Sequence, residues 1–284
     1  MATATPVREF QLTNEQFETI RSLVRRIAGI SLGDGKRDLV RSRLNKRLRT
    51  LGLASYAEYM ELVREDRSGG EITHLLDAIS TNVTHFFREP AHFEYLGELL
   101  KARAAGGAVG GPGRRLRIWS AGCSSGEEPY TIAMTVSEAM GSLAGWDVKV
   151  LATDISTNVL AKAQRGVYPA EAVAKMPRPL VGKYFDTPGR RDQGDFAVRP
   201  SLRGLVHFGR LNLMGAWPMR GPFDAIFCRN VMIYFEKSTQ AELVQRFGEL
   251  LGPDGLLFIG HSENLTGFTH GFRTVRPTVY RKAA

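Results

Sequence analysis

The segment Arg117–Tyr130 limits what this chain can fold into more than any other stretch. It reads Arg-Ile-Trp-Ser-Ala-Gly-Cys-Ser-Ser-Gly-Glu-Glu-Pro-Tyr. An apolar strand runs into a turn of small residues with two glycines, and Pro129 is expected to open a helix. Glycine lets such a turn take a left-handed backbone and leaves no Cβ between main chain and ligand. Proline at a first helical position arrives with φ already set. Lys149–Asp154 then reads as a second strand ending in an acid. Strand, turn, helix, strand and acid, in that order, is how open α/β sheets hold a nucleoside at their carboxyl edge, with the acid on the ribose diol.

The turn is not a dinucleotide fingerprint. Ala121 and Cys123 break GxGxxG, and Asp154 lies 28 residues beyond Gly126, where such folds use about 20. Glu127 and Glu128 at the helix start would oppose a pyrophosphate, which needs the bare helix N-terminus. A ligand carrying positive charge fits better, and S-adenosylmethionine has both a sulfonium and an ammonium. A purely structural turn with a solvated acid pair satisfies the same residues, so this segment alone does not choose.

A chain of 284 residues can hold one large or two ordinary domains. No apolar run approaches a membrane span, so no membrane insertion is expected. The first residues lack a basic segment followed by an apolar core, so no secretory signal is expected either. Cys123 and Cys228 make no disulfide framework; reduced thiols and a cytoplasmic location are the expectation. His85, His261 and His270 have no ligand spacing with either cysteine, so no metal is expected. The net charge of +9 points to an acidic partner without saying which.

Residues 1–90 read as an all-helical domain. Thr13 and Gln16 form a capping box, with Leu12 and Phe17 as hydrophobic staple. Phe17, Ile20, Val24 and Ile27 share one face, and Gly29 is the expected stop. A second helix, about 36–51, carries Val40, Leu44, Leu48 and Leu51 among many cations. Further helices are expected near 55–65, 71–79 and 91–103. Residues 80–90 connect this bundle to the rest, and Gly106–Gly113 forms a flexible connector. From Leu116 strands (116–120, 148–152, 223–228, 255–260) alternate with helices (129–143, 156–165, 238–251). The fold class is therefore α/β: a helical domain followed, over 91–284, by a doubly wound, mostly parallel sheet. Prolines and glycines between about 170 and 210 mark a small β-rich insertion, including Asp195–Arg199 and Leu205–Phe208. No heptad is visible, and a monomer is expected.

Five separated motifs make a specific set: Ser80-Thr-Asn-Val-Thr-His-Phe-Phe-Arg88, Trp119–Tyr130, Ala152-Thr-Asp-Ile155, Phe223-Asp-Ala-Ile-Phe-Cys-Arg-Asn-Val-Met-Ile-Tyr-Phe235 and Pro253–Asn264. Together they closely resemble the chemotaxis receptor glutamate O-methyltransferase family, CheR, over nearly the whole chain. The resemblance implies methyl transfer from S-adenosylmethionine to glutamate side chains on the cytoplasmic helices of chemoreceptors, with S-adenosylhomocysteine as product. It assigns Asn82, Thr84, Arg88, Gly122, Glu127 or Glu128, Asp154, Ile155, Asn212, Leu213, Arg229 and Asn230 to the cofactor. Arg88 and Tyr234 match residues near the transferred methyl. The insertion matches a β-subdomain that in some members docks a receptor's C-terminal peptide. Some relatives are thought to bind cyclic di-GMP, for which the Arg-rich N-terminal segment is the candidate.

The chemistry agrees with the residues. A glutamate, with reference pKa of about 4.3, is ionised at neutral pH and needs no general base. The absence of a Ser/His/Asp or Cys/His set is then expected, and an arginine such as Arg88 can orient the incoming carboxylate. Arg37, Arg41, Arg43 and Arg47, on the basic helix, are candidates for docking the acidic receptor helices; a solvated face is the ordinary alternative. Two rival readings stay open. A nucleic-acid methyltransferase fits the charge, but no aromatic-rich basic stretch supports it. A non-catalytic regulatory module would not require Arg88, Asp154, Asn230 and Tyr234 together.

Overall fold

The computed structural model describes residues 10–106, 114–186 and 194–283. Most of the Gly106–Gly113 connector and of Thr187–Asp195, and the extreme N-terminus, lie outside these residues. The chain divides into two compact units between Thr81 and Asn82, within the stretch expected to connect two domains.

The first unit is four helices: α1 (Asn14–Ala28), α2 (Arg37–Leu51), α3 (Tyr56–Glu65) and α4 (Gly70–Ile79). Thr13 caps α1 with the full reciprocal box to Gln16, and Gly29 ends it in the left-handed conformation. The apolar stripes Ile20/Val24, Val40/Leu44/Leu48 and Leu75/Leu76 are almost wholly buried, and that burial rather than propensity holds short helices together. Tyr56 donates to the buried Asn45 side chain at 2.6 Å.

The second unit follows the order α5 (Ala91–Ala104), β1 (Arg115–Ala121), α6 (Glu127–Met140), β2 (Asp147–Asp154), α7 (Thr157–Arg165), β3 (Val167–Tyr168), α8 (Ala170–Val173), α9 (Arg178–Tyr184), β4 (Phe185–Asp186), β5 (Phe196–Val198), α10 (Pro200–Arg203), β6 (Val206–Arg210), β7 (Phe223–Cys228), α11 (Lys237–Leu250), β8 (Leu251–Ile259), β9 (Phe272–Arg276) and β10 (Val279–Lys282). Seven strands form one sheet in the order β6-β2-β1-β7-β8-β10-β9. The first five are parallel, and β10 and β9 close the edge antiparallel.

Both faces are covered. Ile118 packs in the cluster with α5 and α6, whereas its neighbour Trp119 turns to the other face against Trp217 and Phe247. Alternate residues of β1 thus serve two cores, as a central strand requires. The chain runs from β1 outward to β2 and β6, then returns to the other side of β1 as β7. The carboxyl ends of β1, β2 and β7 therefore meet at the topological switch point where such sheets bind ligands.

Four expectations need correction. Helix α6 begins at Glu127, with Gly126 as N-cap, so Pro129 sits third in the first turn, where its missing N–H is still harmless. The run Val206–Arg210 belongs to the main sheet, paired in parallel with β2, not to the insertion. The insertion itself keeps only β3, β5 and β4 as a small antiparallel sheet, between short helical turns. The closing pair β9 and β10 adds two strands beyond those expected; β9 buries one residue, Phe272, and offers no apolar alternation to read.

Candidate functional site

The turn after β1 is built to bring main chain close to other groups. Gly122 has φ of +87° and Gly126 of +99°, with Ser124 at +49° between them. A Cβ on Gly122 would come within 2.4 Å of Val231 Cγ2, so only glycine fits there. The amides of Gly122 and Cys123 both donate to the Thr153 carbonyl, at 2.8 and 2.9 Å, which pins the turn to the end of β2.

Asp154 ends β2 and is buried. It accepts from the amides of Ser124 at 2.8 Å and Ser156 at 2.9 Å, so the acid and the turn are fixed relative to each other. Ile155 follows, partly buried. The Asp154 carbonyl accepts from Leu211 at 2.9 Å, which brings Asn212 and the buried Leu213 to the same edge of the sheet. Asn212 caps its own turn through Met214 N at 3.0 Å.

Glu127 and Glu128 are not a solvated pair. Ser125 donates to Glu127 at 2.8 Å. Glu128 accepts from Ser120 at 2.7 Å and pairs with Arg229 at 2.9 Å. Burial pushes both carboxyls up; Ser125 opposes it at Glu127, and Arg229 and Ser120 oppose it at Glu128. Arg229, its side chain 2% exposed, also pairs with Glu89 at 3.0 Å and lies over the Phe93 ring. A third contact runs from Arg229 to the Arg88 carbonyl. One arginine at the end of β7 thus ties the 82–89 segment to the start of α6.

Within that segment the Asn82 carbonyl accepts from Ser124 Oγ at 3.0 Å. Arg88 turns back to donate to the Val83 carbonyl at 3.0 Å. Thr84 and Arg88 are partly exposed. Asn230 takes φ of +58°, and Tyr234 follows, partly exposed, in a single 3-10 turn, Met232–Tyr234. Asn82, Thr84, Arg88, Gly122, Glu127, Glu128, Asp154, Ile155, Asn212, Leu213, Arg229, Asn230 and Tyr234 all belong to the second unit, on segments at or beside one sheet edge.

The basic helix gives a different result. Arg47 makes a two-point pair with the buried Glu71. Arg43 donates to the carbonyls of Ala78, Ile79 and Ser80 at the end of α4. Arg37 is held by Asn14 and the Leu12 carbonyl. Arg41 pairs with Asp38 at 3.2 Å and stays 43% exposed. Three of the four arginines therefore have structural work inside the helical unit.

Two features escaped the sequence. Glu263 is buried and accepts from the amides of Gly260 at 2.6 Å, Asn230 at 2.9 Å and Ile233 at 3.1 Å. It organises the Asn230–Tyr234 loop from the far end of β8. An acid four residues after the apolar run of β8 is the available signal. Second, Glu89, His92 and His261 bring ligand atoms within 4.8 Å of one another, which cysteine spacing could not reveal. The Glu89 carboxylate already has its cation in Arg229, and burial and Arg229 push His92 down to about 4. Both cysteines are free and buried, and burial raises both thiols.

At two adjacent residues of the β7 end a buried polar atom has no partner: the acceptor Asn230 Oδ1 and the donor Arg229 Nε. Buried polar atoms of this kind are met by water, an ion or a ligand. An acceptor and a donor at adjacent residues fit an amino-acid end, with its ammonium and carboxylate, and Asp154 fits a diol. The residues present suit S-adenosylmethionine.

Known proteins agree. Residues 82–281 match the family described as CheR methyltransferase, SAM binding domain, and residues 15–80 match its all-alpha domain. The chain is 46% identical to Chemotaxis protein methyltransferase 2 of Pseudomonas aeruginosa over all of both chains. It is 42% identical to the Chemotaxis protein methyltransferase of Escherichia coli, covering 95% of this chain and 91% of that one. The Borreliella burgdorferi protein of the same name is 38% identical, with 95% of each chain covered.

Proposed function

The chain belongs to the CheR methyltransferase family, and we propose that it carries out the family's reaction with the residues gathered at the carboxyl edge of β1, β2 and β7. It is an S-adenosylmethionine-dependent methyltransferase of chemotaxis, and its substrate is the glutamate carboxylate of chemoreceptors. S-Adenosylmethionine supplies an activated methyl: a carboxylate oxygen bonds to the methyl carbon, the carbon–sulfur bond breaks with its electron pair going to sulfur, and no proton moves.

The chain's own residues then have to bind, align and exclude water. Asp154 takes the ribose diol. Arg229 and Asn230 take the amino-acid end through their unpartnered atoms. Arg88 orients the incoming carboxylate and must not hold it tightly, since stabilising the anion lowers its nucleophilicity. Tyr234 shapes the transfer site. Charge is lost during the reaction, so oxyanion stabilisation has little to contribute.

The observation that carries this reading is the single network joining Arg229, Glu128, Glu89 and Arg88, beside Asp154 and its turn. The partner is a receptor's cytoplasmic helical bundle, in keeping with a cytoplasmic enzyme; no helix among the described residues is long and apolar enough to cross a membrane. The test mixes methyl-labelled S-adenosylmethionine, the protein and receptor-bearing membranes. Base-labile label on the receptor, lost in Arg88→Ala and Asp154→Ala, is expected. Base-stable label would mean another product, and no label from the wild type would overturn the reading.

A further inference from the structure

Among the described residues three large hydrophobic side chains stand exposed: Val83 at 75%, Ile233 at 48% and Val167 at 42%. Single exposed apolar residues are ordinary. Here two of the three border the same turn. Val83 follows Asn82, whose carbonyl is bonded to Ser124. Ile233 lies two residues beyond Val231, whose side chain packs on Gly122. Val83 and Ile233 therefore stand one and two residues from groups that touch Gly122–Ser124.

Neither is exposed through looseness. The Val83 carbonyl is held by Arg88 at 3.0 Å. The Ile233 amide is held by the buried Glu263 at 3.1 Å, and its neighbour Met232 is in the core. Both backbones are fixed, and both side chains are presented outward. A contact surface ordered in advance loses less entropy on binding. Their sequence neighbours are Asn82, Thr84 and Tyr234, the residues assigned to cofactor and methyl.

We infer that Val83 and Ile233 form an apolar rim on which the receptor helix lies while its glutamate reaches the methyl. This rests on the methyltransferase reading. A glutamate side chain is short, so its backbone must come to the border of the turn, and an α-helix is about 10 Å across with side chains. A helix delivering a carboxylate past Arg88 and Tyr234 therefore meets the two large apolar side chains exposed there. The uncharged surface of that helix beside the glutamate is what two aliphatic side chains recognise. A second copy of this chain is the other occupant to consider. Two side chains fall far short of the roughly 1,200 Å² that a stable dimer buries.

The experiment measures steady-state methylation of receptor-bearing membranes by wild type, by the double variant Val83→Ser/Ile233→Ser and by Val83→Leu/Ile233→Leu. S-Adenosylhomocysteine affinity is read by calorimetry, and folding by thermal melting. The serine pair is expected to raise the receptor KM about tenfold with unchanged S-adenosylhomocysteine affinity and melting temperature, and the leucine pair to keep the wild-type KM. An unchanged KM in the serine pair overturns the inference. So does an equal loss of S-adenosylhomocysteine affinity, which would make the two residues supports of the cofactor site. So does a wild-type dimer that the serine pair dissolves. Wild type that transfers no methyl overturns the methyltransferase reading and this rim with it; active wild type with an unmoved KM overturns the rim alone.

Discussion

Arg229 pairs with Glu128 at 2.9 Å while 2% of its side chain is exposed, and its other guanidinium nitrogen pairs with Glu89 at 3.0 Å. The two acids share one buried cation. Removing one member of a buried pair leaves a charge without compensation and costs about 3–5 kcal/mol. Arg229→Leu strands two carboxylates, so chemical denaturation should show a stability loss of about 3 kcal/mol or more, with S-adenosylhomocysteine binding abolished. Glu128→Gln keeps an acceptor for Ser120 and leaves Glu89 to balance Arg229. It should lose well under half as much stability. Equal losses from the two variants would refute the shared-cation account.

His92 faces Glu89, His261 and Arg229, and burial together with Arg229 lowers its pKa from 6.5 to about 4. The unfolded chain binds this proton below about pH 6.5, and the folded chain does not until about pH 4. Stability therefore falls as pH drops through that window. Its ring Nε2 bonds to Thr278 Oγ1 at 2.8 Å, a contact that glutamine can keep. His92→Gln should lose less melting temperature than wild type between pH 7 and pH 5, by about 3 °C or more. Parallel melting curves would show that His92 does not titrate as described.

Much of the geometry at this candidate site can be read from the chain alone, for a physical reason. β1, β2 and β7 each carry a largely buried apolar segment, Ile118–Trp119, Val150–Ala152 and Ala225–Cys228, and they end beside Gly122, at Asp154 and beside Arg229. Strand ends at a switch point are where ligands go, so local pattern and site coincide. Glu263 is different. Besides the nearby Gly260 amide it accepts those of Asn230 and Ile233, about thirty positions earlier, and no local periodicity encodes that. Glu89 and His92 are likewise defined by Arg229, distant in sequence. Proline and glycine density groups Leu205–Phe208 with the insertion, although most of that run lies in β6 of the main sheet. The strand starts two residues after Gly204, and only its pairing with β2 shows where it belongs.

Gly122 and Val231 are the tightest approach at the turn. Gly122→Ala adds a Cβ 2.4 Å from Val231 Cγ2 at a φ of +87°. Both the contact and the backbone angle oppose it, and the displaced Val231 moves the Asn230 loop. S-Adenosylhomocysteine affinity should fall about tenfold or more, because a contact beside bound main chain is lost at roughly 1.4 kcal/mol per decade. Adding Val231→Ala removes the contact and leaves the angle, so calorimetry should show partial recovery. Full recovery would mean that backbone strain plays no part; none would mean that contact plays no part.

Arg41 and Arg47 separate docking from folding on α2. Both are cations on one helix, so a charge-based reading treats them alike. Arg47 is bonded at two points to Glu71, whose side chain is 7% exposed. Arg47→Glu sets two acids together in that place and should destabilise the helical unit by about 3 kcal/mol. Any rise in receptor KM for that variant would report unfolding. Among the described residues Arg41 pairs with Asp38, with 43% of its side chain exposed, and exposed pairs are worth about 1 kcal/mol or less. Arg41→Glu should therefore melt like wild type. If α2 steers the acidic receptor helices, its receptor KM should rise severalfold in low salt. The rise should shrink toward 0.5 M salt, where the screening length falls to about 4 Å. A KM equal to wild type at low salt would assign this face of α2 to solvent.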